Sequence, residues 1–443
     1  MEKLVFPKDF VWGTATASYQ VEGAAREGGR GECIWDVFAR KPGAVNAGEN
    51  GDVACDQYHR YEEDVALMAE LGFNSYRFSI AWPRIIPTGS GKVNPEGVAY
   101  YRKLCDELHK HNIKACATLY HWDLPQVLEE KGGWADRGVL DAFEEYVKVC
   151  YETLGDVIDT WITINEPFCV AYLGYLWGVH APGQRDLNKA LAAVHHINMA
   201  HGIAVREYRK TKLKAPIGIT YNPATPRPAT SSAADARAAD ISRAFNTEVF
   251  MFPALGKGYP ELVTKDLNLS FPVQSGDMQL IAQPIDFIGV NYYTEHAVAA
   301  DEKAQFKTTN KPSWETTTAM GWPIVPGGLE RQLLWINEVS NGIPIYITEN
   351  GCAYDDVVAP DGRVHDKERI KYLHQHLAVC ADVIKKGVPL KGYFVWSLMD
   401  NFEWAFGYGR RFGIIHIDFK TQKRTVKDSA YFLRDTIAGY GEL

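Results

Sequence analysis

Two glutamates differ from the other acidic residues because each ends a short apolar run: Trp161-Ile162-Thr163-Ile164-Asn165-Glu166-Pro167 and Ile345-Tyr346-Ile347-Thr348-Glu349-Asn350-Gly351. Each run is rich in β-formers, as a buried strand would be, and each carboxylate falls where a Pro or Gly marks a turn. A lone glutamate at a strand end most often caps a turn or pairs with a lysine. Two in matching positions, each next to an Asn, suit chemistry better. If both strands belong to one parallel barrel, the carboxylates face one cleft and can divide the roles of proton donor and nucleophile at an acetal bond between sugars.

The neighbours suggest how the roles divide. Arg77 lies in a strand-like run whose side chains can point into a barrel, and it could keep Glu349 ionised as the nucleophile by lowering its pKa; the alternative is a purely structural ion pair. Glu166 is then the acid. Asn165 could donate to a sugar 2-hydroxyl, and Tyr293 could orient Glu349.

These residues need a frame. Strand-like runs recur near 10–17, 73–79, 113–120, 157–165, 215–221, 285–291, 344–348 and 390–397. Amphipathic helical patterns fall near 57–71, 94–111, 137–154, 188–210, 238–251, 328–340, 366–386 and 427–437. Eight alternating β/α units predict a (β/α)8 TIM barrel, expected as a single catalytic domain over 1–443. The remaining segments, near 30–56, 167–187, 222–236, 296–327 and 400–418, are expected to be extended βα loops that build the binding rim. The most linker-like stretch, Pro223 to Ala236, is too short to split the chain.

Composition narrows the partners. Apolar residues make up 46% and charged residues 23% of the 443, an ordinary globular balance. The net charge of -8, without a run of like charges, excludes the electrostatic footprint of a nucleic-acid binder. Aromatic residues reach 12%, enough to supply stacking faces for sugar rings beyond the needs of the core. No 18-residue apolar stretch occurs, and Met1 to Lys8 lacks a signal-peptide core, so a cytoplasmic protein without membrane partners is expected. Eight scattered cysteines show no metal or disulfide spacing and read as reduced, mostly buried thiols. There is no dinucleotide fingerprint, P-loop or HExxH motif. His195, His196, His374 and His376 fall in helical patterns that favour packing or exposure over ligation. No metal or cofactor is expected, and a homo-oligomer is left open.

The chain resembles glycoside hydrolase family 1, the β-glucosidase family, over essentially its whole length. Phe10 to Gly23 resembles the family's N-terminal signature, Thr163 to Pro167 its acid/base motif and Ile347 to Gly351 its nucleophile motif, in the family's order. The resemblance implies a retaining, exo-acting β-glycosidase acting on β-glycosides or short oligosaccharides, with sugar-binding residues at Gln20, His121, Trp122, Asn165, Asn291, Tyr293, Trp396, Glu403 and Trp404. Trp322 looks like the family's aglycone-side tryptophan. Members acting on 6-phosphorylated sugars lack the Glu403 carboxylate and use a Ser/Lys/Tyr cluster instead. Here Glu403 stands and Phe412 has no hydroxyl, though Arg410 and Arg411 could mimic such a cluster. The expected activity is a β-glucosidase or broad β-glycosidase, including galactosyl or fucosyl units. The alternatives are a 6-phospho-β-glycosidase and a catalytically weak sugar-binding protein on the same barrel.

Overall fold

The eight apolar runs form eight parallel strands: β1 (Val11–Ala15), β2 (Ser75–Ser79), β3 (Lys114–Tyr120), β4 (Thr160–Asn165), β5 (Ile217–Tyr221), β6 (Phe287–Tyr292), β7 (Ile345–Asn350) and β8 (Leu390–Trp396). The computed structural model describes residues 4–311 and 315–439. The start of the N-terminal stretch that lacks a signal core, residues 1–3, lies outside them, as do 312–314 of the expected loop at 296–327. The strands close in the order β1-β8-β7-β6-β5-β4-β3-β2, with β1 paired to both β8 and β2.

Helices separate the strands: α1 (Gln57–Glu70), α2 (Pro95–Lys110), α3 (Val139–Leu154), α4 (Leu187–Arg209), α5 (Ala233–Arg243), α6 (Pro326–Val339), α7 (Lys367–Lys385) and α8 (Asp428–Ile437). Their starts follow local chemistry. Asn94 accepts from the Glu96 N–H with Pro95 in the first turn, and Asp186 caps α4 through the Lys189 N–H. Because helices cover the barrel outside and side chains fill it inside, β2, β5 and β6 are buried at every position.

The expected strands and helices are all present, with some corrections between them. The linker-like stretch is structured: Ser232 caps α5 by accepting the Asp235 N–H at 3.1 Å, so this helix begins earlier than its apolar pattern indicates. Arg227–Pro228, Ala297–Ala300 and Thr308–Lys311 form a small three-stranded sheet where only loop was expected. Ile415–Asp418 and Lys423–Val426 pair antiparallel beyond β8. These strands are two to four residues long and escape a periodicity reading.

Candidate active site

Both glutamates stand at the C-terminal rim of the barrel, and both strands that carry them are irregular just before the carboxylate. The β4–β5 register shifts between Ile162 and Asn165, and the β7–β6 register between Ile347 and Glu349. Such bulges re-aim side chains at a barrel rim. Glu166 also takes φ +47°, in the left-handed region that non-glycine residues enter at a cost of about 1 to 3 kcal/mol. Trp122 and Trp404 share this property, at +77° and +49°.

Gly351 has a different role from the turn expected of it. A Cβ there would lie 1.7 Å from the Trp396 carbonyl oxygen, so glycine is required because β7 and β8 approach closely beside Glu349.

The polar network is dense. Arg77 Nη1 donates to Glu349 Oε1 at 2.6 Å and to the Thr348 carbonyl at 3.0 Å, while its Nη2 donates to Asn165 Oδ1 at 2.5 Å. Tyr293 Oη donates to Glu349 Oε2 at 2.5 Å. Asn291 Nδ2 donates to Glu166 Oε1 at 2.6 Å and to Asn165 Oδ1 at 3.1 Å, and Asn291 Oδ1 accepts from Thr348 Oγ1 at 2.8 Å. Asn165 Nδ2 donates to His121 Nε2 at 3.0 Å.

Both carboxyls are buried, and their neighbours separate them. Burial and the nearby Glu349 charge push Glu166 up to about 7, with Asn291, Cys169 and Arg77 opposing. Burial also raises Glu349, but contact with Arg77 and the Tyr293 and Asn291 hydrogen bonds limit the rise. Arg77 thus favours the ionised form of Glu349, although burial outweighs it and the net shift is upward.

A second cluster lies across the rim. Gln20 Nε2 donates to Asn401 Oδ1 at 3.0 Å, to the Phe402 carbonyl at 2.8 Å and to Glu403 Oε2 at 3.5 Å. Glu403 is half-buried, and loss of solvation with the Glu349 and Glu166 charges pushes it up to about 8. Glu403 thus holds its proton more tightly than an exposed carboxyl does. The buried indoles of Trp396 and Trp404 lie 6.1 and 6.0 Å from the His121 ring, each inclined by 23°. Trp122 commits its indole N–H to the Asn165 carbonyl at 2.9 Å, leaving only its ring for the pocket.

Two buried polar atoms, Gln20 Oε1 and His121 Nδ1, have no protein partner. Burial and the Arg77 charge hold His121 far below its usual pKa, so the ring is neutral. With Nε2 accepting from Asn165, its proton sits on Nδ1. One free acceptor and one free donor on the same wall match the hydroxyls of a sugar.

Beside this end, a cavity of about 630 Å³ is lined by Asn291, Tyr293 and Trp322 on one side and Phe168, Trp177 and Phe245 on the other. Trp322 packs against Tyr293 and Phe412 at 5.5 and 6.2 Å. Arg410 and Arg411 form no anion cluster. Arg411 donates to Asp400 Oδ2 at 2.7 Å, and Arg410 lies 5.6 Å from the Phe406 ring centre. Among the described residues no group of His, Cys, Asp and Glu has metal-binding geometry. All eight cysteines are free and buried, and His195 and His196 are buried with protein hydrogen-bond partners.

One contact was not foreseen. Cys169 Sγ lies 3.0 Å from Glu166 Oε2. Its position three residues after Glu166 at the start of a π-helical turn, Cys169–Leu176, was the available signal.

A closed parallel barrel presenting buried carboxyls, amides and indoles at the C-terminal ends of its strands has the architecture of a glycoside hydrolase. The comparisons agree. The family model described as glycosyl hydrolase family 1 matches residues 2–442. Beta-glucosidase A of Thermotoga maritima is 47% identical over 438 residues, 98% of each chain. A bifunctional beta-D-glucosidase/beta-D-fucosidase of Bifidobacterium breve is 41% identical over 462 residues, 99% of each. The solved Thermotoga maritima beta-glucosidase in complex with deoxynojirimycin matches at TM-score 0.97 and 47% identity, covering 100% of both chains. The chain belongs to glycosyl hydrolase family 1.

Proposed function

We propose that this glycoside hydrolase is a retaining, exo-acting β-glucosidase with wider β-glycosidase activity, working as one catalytic unit over 1–443 in the cytoplasm. The observation that carries the reading is the asymmetry of the two buried carboxyls: Glu349 touches Arg77 at 2.6 Å, whereas Glu166 is raised to about 7. A Glu349 oxygen attacks the anomeric carbon as the C–O bond to the leaving group breaks, and Glu166 gives its proton to the departing oxygen. Glu166 then takes a proton from water, whose oxygen attacks the same carbon and releases Glu349.

Gln20, His121, Asn165, Glu403, Trp396 and Trp404 hold the terminal sugar; Trp122 backs them. The cavity walled by Trp322, with Phe412 behind it, takes the leaving group, either an aryl ring or a second sugar as in cellobiose. Its similarity to a beta-glucosidase and to a bifunctional beta-D-glucosidase/beta-D-fucosidase supports glucosyl and fucosyl substrates. Eight unpaired buried cysteines fit a reducing compartment.

Hydrolysis of an aryl β-glucoside, followed by early-time NMR of the released sugar, tests the reading. β-glucose is expected as the first-formed anomer, and α-glucose would refute retention. Free aryl glucoside should be preferred over its 6-phosphate, since Arg411 is committed to Asp400. The reverse preference would favour a phospho-glycosidase.

A further inference from the structure

Glu166 uses its two oxygens differently. Oε1 accepts a full amide hydrogen bond from Asn291 at 2.6 Å, whereas the protein partner of Oε2 is the Cys169 sulfur at 3.0 Å. Behind the sulfur, Asn222 Nδ2 donates to Sγ at 3.6 Å. The S–H is thereby left to point toward Glu166. Burial and the Glu166 charge keep this thiol protonated, so it remains a donor.

From this geometry we infer that Cys169 is a positioning residue for the general acid, placing the transferable proton on Oε2 and holding that oxygen only weakly. A proton on Oε1 would oppose the Asn291 donor, so it resides on Oε2. Sulfur is a poor acceptor and barely competes with a glycosidic oxygen for that proton. Once the proton has left, the thiol donates to the carboxylate and supports its ionised form. A hydroxyl at 169 would grip the carboxylate more tightly, and a methyl would leave Oε2 bare.

The other titratable and charged groups facing Glu166 are Glu349, Arg77, Tyr293 and Glu403, with neutral His121 one residue away on Asn165. None of them is altered by substitution at 169. The inference rests on Glu166 being the acid/base of the proposed reaction.

The test is the basic limb of the kcat/KM profile on an aryl glucoside with a poor leaving group. Cys169→Ser should move the limb to lower pH and Cys169→Ala to higher pH, the two variants differing by about one pH unit. Asn222→Ala, which frees the thiol without removing it, should give a smaller shift than Cys169→Ala. A merely structural role would move both Cys169 variants the same way or neither, and either result overturns the inference. The same profile is measured for Glu166→Gln on an activated substrate: a basic limb that survives there refutes the assignment of Glu166 itself, whatever Cys169 does. Coincident thermal unfolding of the Ser and Ala variants confirms that folded proteins are compared.

Discussion

Arg77 is 1% exposed and lies 2.6 Å from Glu349, so this pair is buried. Removing one partner of a buried pair leaves an uncompensated charge, typically worth about 3 to 5 kcal/mol. Arg77→Met should therefore lose stability of that order in denaturant unfolding and raise the acidic limb of any residual activity, because Glu349 loses the cation that favours its ionised form. An unchanged acidic limb would show that Arg77 only supports the fold.

Glu349→Gly and Glu166→Ala should fail differently. Without Glu349 no substrate turns over. Without Glu166, substrates with very good leaving groups still form the glycosyl-enzyme and then stall, and azide rescues turnover as the β-glycosyl azide because an anion needs no general base. An α-azide, or equal losses on all leaving groups, would sink the division of roles.

The proposed mechanism needs Glu349 ionised and Glu166 protonated together. Glu166 is raised to about 7, so activity should fall as pH rises through that region. Glu349 is also raised, so the acidic limb should lie above the usual carboxyl range. The optimum should therefore lie at higher pH than that of an exposed carboxyl pair. An acidic limb at or below the ordinary carboxyl value, measured in kcat/KM, would contradict it.

Stability should respond to pH in the opposite sense from most carboxylates. Glu403 rises from 4.5 to about 8 on folding, so the native state binds its proton more tightly than the unfolded chain. Its contribution is complete below the unfolded value and is lost as pH climbs through the folded one; Glu166 acts likewise. Glu403→Gln should flatten the decline in Tm between pH 5 and pH 8. A steeper decline in that variant would reverse the sign assigned here.

The barrel is legible because its strands are apolar runs of five to seven residues and its helices keep one buried face. Glu166 and Glu349 are visible for the same reason: each ends such a run. What the sequence hides is direction. The register shifts before Asn165 and Glu349, and the left-handed φ of Glu166, depend on neighbouring strands and leave no local signature. Arg411 looked free because its partner Asp400 lies eleven residues away around a loop with no periodicity. The raised pKa of Glu403 comes from burial against Glu349 and Glu166, distant in sequence.

Closure of the ring between β1 and β8 ties the enzyme's competence to the order in which its chain is made. Gln20 emerges from a ribosome early, yet its amide partners Asn401 and Phe402 lie 381 and 382 positions downstream. A nascent chain that has reached the end of β7 carries both Glu166 and Glu349 but has neither a shut barrel nor Trp396, Glu403 and Trp404 to complete the sugar site. Activity should thus switch on only once β8 and the loop carrying Asn401 and Phe402 have been made, and a stalled or clipped product lacking them would be inert despite holding both Glu166 and Glu349.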